Sequence, residues 1–140
     1  MWEPKTPYLT TDGIVECYNP DTNTLKGIAL IKRKNPPYGL ALPGGFVDRG
    51  ETIEAALSRE MQEELNISVT IKSLLGIYSD PARDPRFHTA SAVYIVTTYD
   101  TPKAGDDAKE VYIYPIEELP LKELVFDHAK ILQQYLEKIN

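Results

Sequence analysis

The apolar positions of the chain change period several times, and each change marks an element. Two runs rich in aliphatic and β-branched residues, Leu9–Tyr18 and Leu25–Lys34, flank Asn19-Pro20-Asp21-Thr22-Asn23. Turn-forming residues between two such runs predict an antiparallel hairpin. A loop with Pro36-Pro37 follows, then the short stretch Leu40-Ala41-Leu42 before Pro43-Gly44-Gly45. From Thr52 to Leu65 the period becomes four: Ile53, Leu57, Met61 and Leu65 form one stripe of a helix, with Thr52 as its N-cap. Asn66 stands where that helix should stop, and asparagine is the best non-glycine residue for a left-handed C-terminal cap.

A strand is expected over Ile67–Tyr78, a loop over Ser79–His88 and a buried β-branched strand over Ala90–Tyr99. The loop Asp100–Lys109 leads to a short strand, Glu110–Tyr114. Ala129, Leu132, Tyr135, Leu136 and Ile139 then recur at helical spacing, which predicts an amphipathic helix over Phe126–Ile139. Hairpins rather than regular βαβ units make the class α+β, a mixed sheet between helices. No repeat, low-complexity tract or linker divides residues 1–140, so one domain is expected.

Composition narrows the partners. The chain has 140 residues, 42% hydrophobic and 26% charged, which is ordinary for a globular domain. Its net charge of −6 disfavours duplex nucleic acid and anionic membrane surfaces, since both reward basic patches, and leaves a small-molecule substrate. Cys17 is the single cysteine and excludes an internal disulfide; in a strand-like run it reads as a packing residue. The polar start MWEPKTPYLT lacks the features of a signal peptide, and no apolar run reaches the 18 residues of a membrane span. A cytoplasmic location is expected.

One stretch resists a purely structural explanation. REMQEELN, residues 59–66, puts Glu60, Glu63 and Glu64 on a single helical turn, within an arc of about 100°. Like charges so spaced repel by roughly 0.2–0.5 kcal/mol per pair. A solvated face would tolerate this, and so would a cation held among the three acids.

The surrounding residues decide between the two through a family resemblance. Gly45 is followed after five residues by Glu51, and Glu51 after seven by Arg59-Glu60-Met61-x-Glu63-Glu64-x-Asn66-Ile67. This resembles the Nudix box, G-x5-E-x7-R-E-U-x-E-E-x-G-U with U a bulky aliphatic residue, at every position except Asn66. Glycine's task there is to reach positive φ at a helix end, which asparagine does at modest cost. Thr10–Glu16, Lys34–Val47 and Ala104–Leu119 are similar to the corresponding family segments, so the resemblance covers most of the chain.

The resemblance implies the Nudix fold, a curved mixed sheet in an α/β/α sandwich, and metal-dependent hydrolysis of a diphosphate linkage. It implies Glu60, Glu63 and Glu64 as catalytic metal ligands, joined by the main-chain carbonyl of Gly44, with Mg²⁺ as cofactor and Mn²⁺ as its alternative. It makes Glu51 and Arg59 an internal ion pair that orients the box. A further acid from a later loop is expected to assist catalysis; of Asp106, Asp107 and Glu110, Glu110 is favoured, because it precedes by three residues a position where relatives often carry tryptophan. A homodimer with an N-terminal strand at its interface is compatible with the family.

The loop SDPARDPRFH, residues 79–88, bears on the substrate. Guanidinium forks suit phosphate, so Arg83 and Arg86 are candidate substrate-binding residues; Asp84 between them could instead pair with one and fix the loop. Together with KRKNPPYG and Phe126-Asp127-His128, this loop resembles Nudix enzymes acting on ADP-ribose, which implies cleavage to AMP and ribose 5-phosphate. A nucleoside-triphosphate pyrophosphatase, and a sensing module that binds ADP-ribose without cleaving it, are the competing readings. His88 is placed to touch phosphate or ribose, or to serve the loop. His128 reads as a packing or capping residue, and Tyr38, Phe46 and Tyr78 as either core or base-stacking aromatics.

Overall fold

The computed structural model describes residues 2–105 and 108–140. It contains strands β1 (Tyr8–Tyr18), β2 (Leu25–Arg33), β3 (Leu40–Ala41), β4 (Gly44–Phe46), β5 (Thr70–Tyr78), β6 (Thr89–Thr98) and β7 (Ala108–Tyr114). Its helices are α1 (Ile53–Leu65) and α2 (His128–Ile139), the second preceded by two short 3-10 turns, Ile116–Glu118 and Leu121–Glu123.

The strands form one mixed sheet along the path β3-β2-β1-β6-β5, with β4 on β1 and β7 on β2. The expected hairpin is present: β1 and β2 are antiparallel, with Glu16 opposite Ile28 and Cys17 opposite Gly27. Hydrophobic patterning could not reveal the partner on the other side of β1. That partner is β6, parallel to β1 from Tyr8 opposite Thr89 to Cys17 opposite Thr98.

Along its remaining edge β1 changes partner. Thr10, Thr11 and Asp12 pair with β4, and Glu16 to Tyr18 pair with β2. The sheet forks between them, and Gly13 N–H donates to the Pro43 carbonyl at 2.9 Å in the fork. Alternation sends successive strand residues to opposite faces. Val15, Ala29, Ile31 and Val96 pack with Leu57, Met61 and Leu65 of α1; Ile14, Ile28, Leu30 and Ile95 pack with Ile131, Leu132 and Tyr135 of α2. The result is the α+β sandwich, with α1 drawn tightly onto β1: a Cβ at Gly13 would lie 3.2 Å from the Met61 sulfur.

Both ends of α1 are capped. Thr52 Oγ1 accepts from Ala55 N–H at 3.1 Å. Asn66 adopts φ 56° and ψ 40°, its N–H donates to the Gln62 carbonyl at 3.0 Å, and its side-chain amide donates to the Lys103 carbonyl at 3.0 Å. The N–H groups of Lys103 and Gly105 donate to the Leu65 and Glu64 carbonyls at 2.8 Å, so a distant loop satisfies the last helical acceptors.

Several boundaries differ from the sequence expectation for identifiable reasons. β5 starts at Thr70 rather than Ile67, because Ile67 is buried in the α1 core and Ser68 N–H turns to the Asp100 carboxylate at 2.8 Å. Gly44–Phe46 is a strand, not loop, and β7 begins at Ala108 rather than Glu110. α2 begins at His128 rather than Phe126, since Phe126 sits at φ 57°, outside the right-handed region. Among the described residues no helix is long and apolar enough to cross a membrane.

The cap at Asn66 has a measurable consequence. Asn66→Ala is expected to lower stability in urea unfolding by about 1 kcal/mol, because alanine lacks asparagine's tolerance of the left-handed region and loses the side-chain bond to the Lys103 carbonyl. Asn66→Gly should lose less. An alanine variant as stable as wild type would contradict the capping role.

Candidate active site

A cleft of about 330 Å³ opens at the fork of the sheet. Its lining includes Asp12 of β1, Gly44 and Gly45 of β4, and Glu60 and Glu64 of α1. Arg83, Arg86, Phe126 and His128 line it as well.

The acidic lining follows from the way α1 packs. Leu57 and Met61 are fully buried, which carries their helix neighbours Glu60 and Glu64 inward; those two residues are only 8% and 3% exposed. Glu63 stays at the surface, its side chain 44% exposed. Burial raises the Glu60 carboxyl above its ordinary range and the Glu63 charge adds to the effect, while Arg59 and a hydrogen bond with Glu64 oppose it.

Arg59 organises the turn. Its Nε and one terminal nitrogen grip the Glu51 carboxylate at 3.1 and 2.6 Å, so the expected ion pair is present and bidentate. The same terminal nitrogen donates to the Phe46 carbonyl at 3.0 Å, and the other reaches Glu60 at 3.0 Å and Glu63 at 3.2 Å. A single guanidinium thus ties β4 to the acids of α1. It also holds the Glu51 carboxyl below the usual carboxylate range.

These residues fit a hard divalent cation. Their donors are carboxylate oxygens on one turn, set against a glycine backbone, and Mg²⁺ takes oxygen ligands while keeping several waters. A Cβ at Gly45 would lie 2.5 Å from Glu60 Oε1, so glycine leaves the room the carboxylate occupies. Among the described residues no three or more His, Cys, Asp or Glu side chains are gathered so as to hold a metal ion; Arg59 bridges Glu60 and Glu63. Glu60, Glu64 and Gly44 line the cleft, whereas Glu63, predicted as the third acidic ligand, is not among the lining residues and is held by Arg59 on the same turn.

The residues expected to bind substrate divide. Arg83 is buried in the cleft wall, where it grips Asp127 at 3.0 and 2.8 Å and donates to Thr89 Oγ1 at 2.6 Å. Arg86 also lines the cleft, held by both oxygens of Asp84 at 3.0 and 2.9 Å and lying over the Phe87 and Phe126 rings. His88 is not among the cleft residues: its Nε2 meets the Ser79 carbonyl at 2.9 Å and closes the base of the loop. Glu110, the favoured loop acid, is not among them either; it lies exposed on β7 and accepts from the Tyr112 hydroxyl. Asp106 and Asp107 lie outside the described residues. Phe46 lines the cleft, Tyr38 is 69% exposed, and Tyr78 packs against the α2 core with its hydroxyl on Gln134.

Sequence reasoning missed Asp12. It is 8% exposed in a central strand, where Ser91 Oγ donates to its Oδ2 at 2.5 Å. Burial pushes its carboxyl up to about 6; Ser91 and Arg83 oppose this, and Asp127 and Glu60 add to it. The available signal was local: Thr10-Thr11-Asp12-Gly13 interrupts an otherwise apolar strand, and a carboxylate is rarely buried without partners. His128 is buried as expected, but its Nδ1 accepts from Leu42 N–H at 2.9 Å and its Nε2 lies 3.9 Å from Asp12 Oδ2. Burial, then the charges of Arg83 and Arg33, push it down to about 3, so it is neutral at pH 7.

The same architecture occurs in known proteins. The NUDIX domain model matches residues 7–135. An ADP-ribose pyrophosphatase of Methanocaldococcus jannaschii is 47% identical over 133 residues, covering 93% of this chain and 73% of that protein. A MutT/nudix family protein from Enterococcus faecalis superposes with a TM-score of 0.81 at 30% identity, covering 99% of this chain and 64% of the other. A bifunctional NMN adenylyltransferase/ADP ribose pyrophosphatase from Francisella tularensis gives 0.79 at 29% identity, and this chain spans 99% of itself and 43% of that protein.

Asp12 and His128 make stability depend on pH with opposite signs. The histidine, near 6.5 when unfolded and about 3 when folded, takes up its proton on unfolding, so stability falls as pH drops from 6.5 toward 3. The aspartate, near 3.8 when unfolded and about 6 when folded, binds its proton in the native state, so its contribution rises as pH drops from 6 to 3.8. In Asp12→Asn only the histidine slope survives. Urea unfolding in chelator should show the variant losing up to about 1.4 kcal/mol per pH unit relative to wild type between pH 6 and 4. Parallel pH curves for the two proteins would contradict this.

Proposed function

The chain belongs to the NUDIX family, and from that premise we propose that it is a metal-dependent hydrolase that cleaves the diphosphate bond of ADP-ribose to AMP and ribose 5-phosphate. The observation that carries the reading is the pair of buried acids Glu60 and Glu64 lining one cleft with the Gly44–Gly45 backbone, Arg83 and Arg86, with Glu63 on the same helical turn. The choice of ADP-ribose is supported by the 47% identity to an ADP-ribose pyrophosphatase.

Glu60, Glu63, Glu64 and the Gly44 carbonyl would hold Mg²⁺ or Mn²⁺, which would supply charge neutralisation for clustered phosphate oxygens and activation of water near neutral pH. The rest of the work falls to the chain. Arg59 locks the turn to Glu51 and to the Phe46 carbonyl, which fixes the spacing of the acids. Arg86, oriented by Asp84, directs its remaining N–H groups to the substrate phosphates. Arg83, engaged by Asp127 and Thr89, braces the cleft and sets its charge near Asp12.

Purified protein with ADP-ribose and Mg²⁺ should release AMP and ribose 5-phosphate, and chelator should abolish the reaction. A panel adding NADH, dinucleoside polyphosphates and oxidised dGTP tests the substrate; preferred turnover of oxidised dGTP would move the protein among the triphosphate pyrophosphatases. Binding of ADP-ribose without turnover of any substrate would make it a sensor. Glu64→Gln should lower kcat by about 10²-fold or more; unchanged turnover would sink the mechanism.

Gly45→Ala separates site from fold. The added methyl meets the carboxylate end of the Glu60 side chain rather than backbone. The melting temperature should stay near wild type while kcat/KM falls about 10-fold or more. Full activity in this variant would show that Glu60 is free to work from another position.

A further inference from the structure

We infer that His128 is a positioning residue for the metal loop: its imidazole fixes the backbone at Leu42 and so places the Gly44 carbonyl, without touching substrate itself. This rests on the reading above, in which Gly44 helps hold the cation.

The loop needs such a hold. Pro43 has no N–H to offer, two glycines follow it, and the flanking strands β3 and β4 are two and three residues long. Leu42 is 2% exposed, and a buried backbone N–H requires a partner. That partner is His128 Nδ1, at 2.9 Å and 86 residues away in sequence.

The contact continues a pattern already begun by backbone. Leu124 bridges Leu40 in parallel, and Val125 N–H donates to the Leu40 carbonyl at 2.9 Å. Residues 124–128 therefore run beside 40–42 as a makeshift strand. Where α2 starts and the backbone can no longer pair, the imidazole takes over. On the other side Gly13 N–H holds the Pro43 carbonyl at 2.9 Å and Gly44 pairs with Asp12, so the loop is clamped between β1 and the first residue of α2.

His128 is itself held in place. It is 2% exposed, its ring centroid lies 5.1 Å from that of Phe126, and its Nε2 points toward Asp12, which Ser91 secures. Accepting at Nδ1 requires the tautomer protonated at Nε2. The link runs from α2 through one ring nitrogen to the loop that faces the acids of α1.

The test compares His128→Ala, His128→Asn and Ile131→Val in the full chain without substrate. Asparagine offers an oxygen near the place of Nδ1; Ile131 is buried on the same helix but belongs to the sheet-facing core. Mn²⁺ affinity is read by electron paramagnetic resonance, and the Leu42 amide by ¹H–¹⁵N NMR. His128→Ala should bind Mn²⁺ about 10–100-fold more weakly, with faster exchange of the Leu42 amide. His128→Asn should recover most of that loss, and Ile131→Val should lower the melting temperature while leaving Mn²⁺ affinity unchanged. A folded His128→Ala that binds Mn²⁺ like wild type overturns the inference and leaves the metal reading standing. So does an Ile131→Val that weakens binding equally; if His128→Ala fails to fold, a folded His128→Asn with weak binding does the same. A wild-type chain that takes up no Mn²⁺ overturns the metal reading and this inference with it.

Discussion

Three carboxylates on one helical turn, two of them buried, are the constraint around which this molecule is arranged. Removing a charge from water is expensive unless it is paired, and like charges at this spacing add repulsion. The chain meets the constraint with one guanidinium: Arg59 contacts Glu51, Glu60 and Glu63 and the Phe46 carbonyl. That arrangement holds the acids in place but leaves a concentration of negative charge that a divalent cation would relieve. The same balance explains why Glu60 sits above its ordinary range despite its arginine.

The sheet supplies the second half of the account. β1 pairs with β6 from Tyr8 to Cys17 but divides its other edge between β4 and β2, and the division creates the fork in which the cleft lies. Small residues make the fork usable. Gly13 lets α1 approach the sheet, Gly44 passes the Asp12 side chain, and Gly45 leaves room for the Glu60 carboxylate. A single side chain beyond Cα at these points would displace the acids that the helix presents.

What was legible in the sequence was local. The four-residue period of Ile53, Leu57, Met61 and Leu65 marked α1, Asn66 marked its end, and the spacing from Gly45 to Asn66 marked the acidic turn with its Glu51–Arg59 pair. What was illegible depends on contacts between distant residues. The parallel pairing of β1 with β6 joins positions about eighty apart, and Asp12 becomes a cleft residue only because Ser91, His128 and Gly44 converge on it. Arg83 and Arg86 were found as a pair, but only the fold shows that the first is occupied by Asp127 and the second by Asp84. Phe126 gave no sign of its left-handed conformation, since bulky residues rarely adopt one.

The acids of α1 are proposed to grip a divalent cation at the Gly44–Gly45 backbone. Anomalous diffraction from crystals soaked in Mn²⁺ tests this most directly. A strong peak bounded by Glu60, Glu63, Glu64 and the Gly44 carbonyl is expected, with Arg59 withdrawn from Glu60. Saturating Mn²⁺ with no peak there, and Arg59 still bridging Glu60 and Glu63, would contradict it.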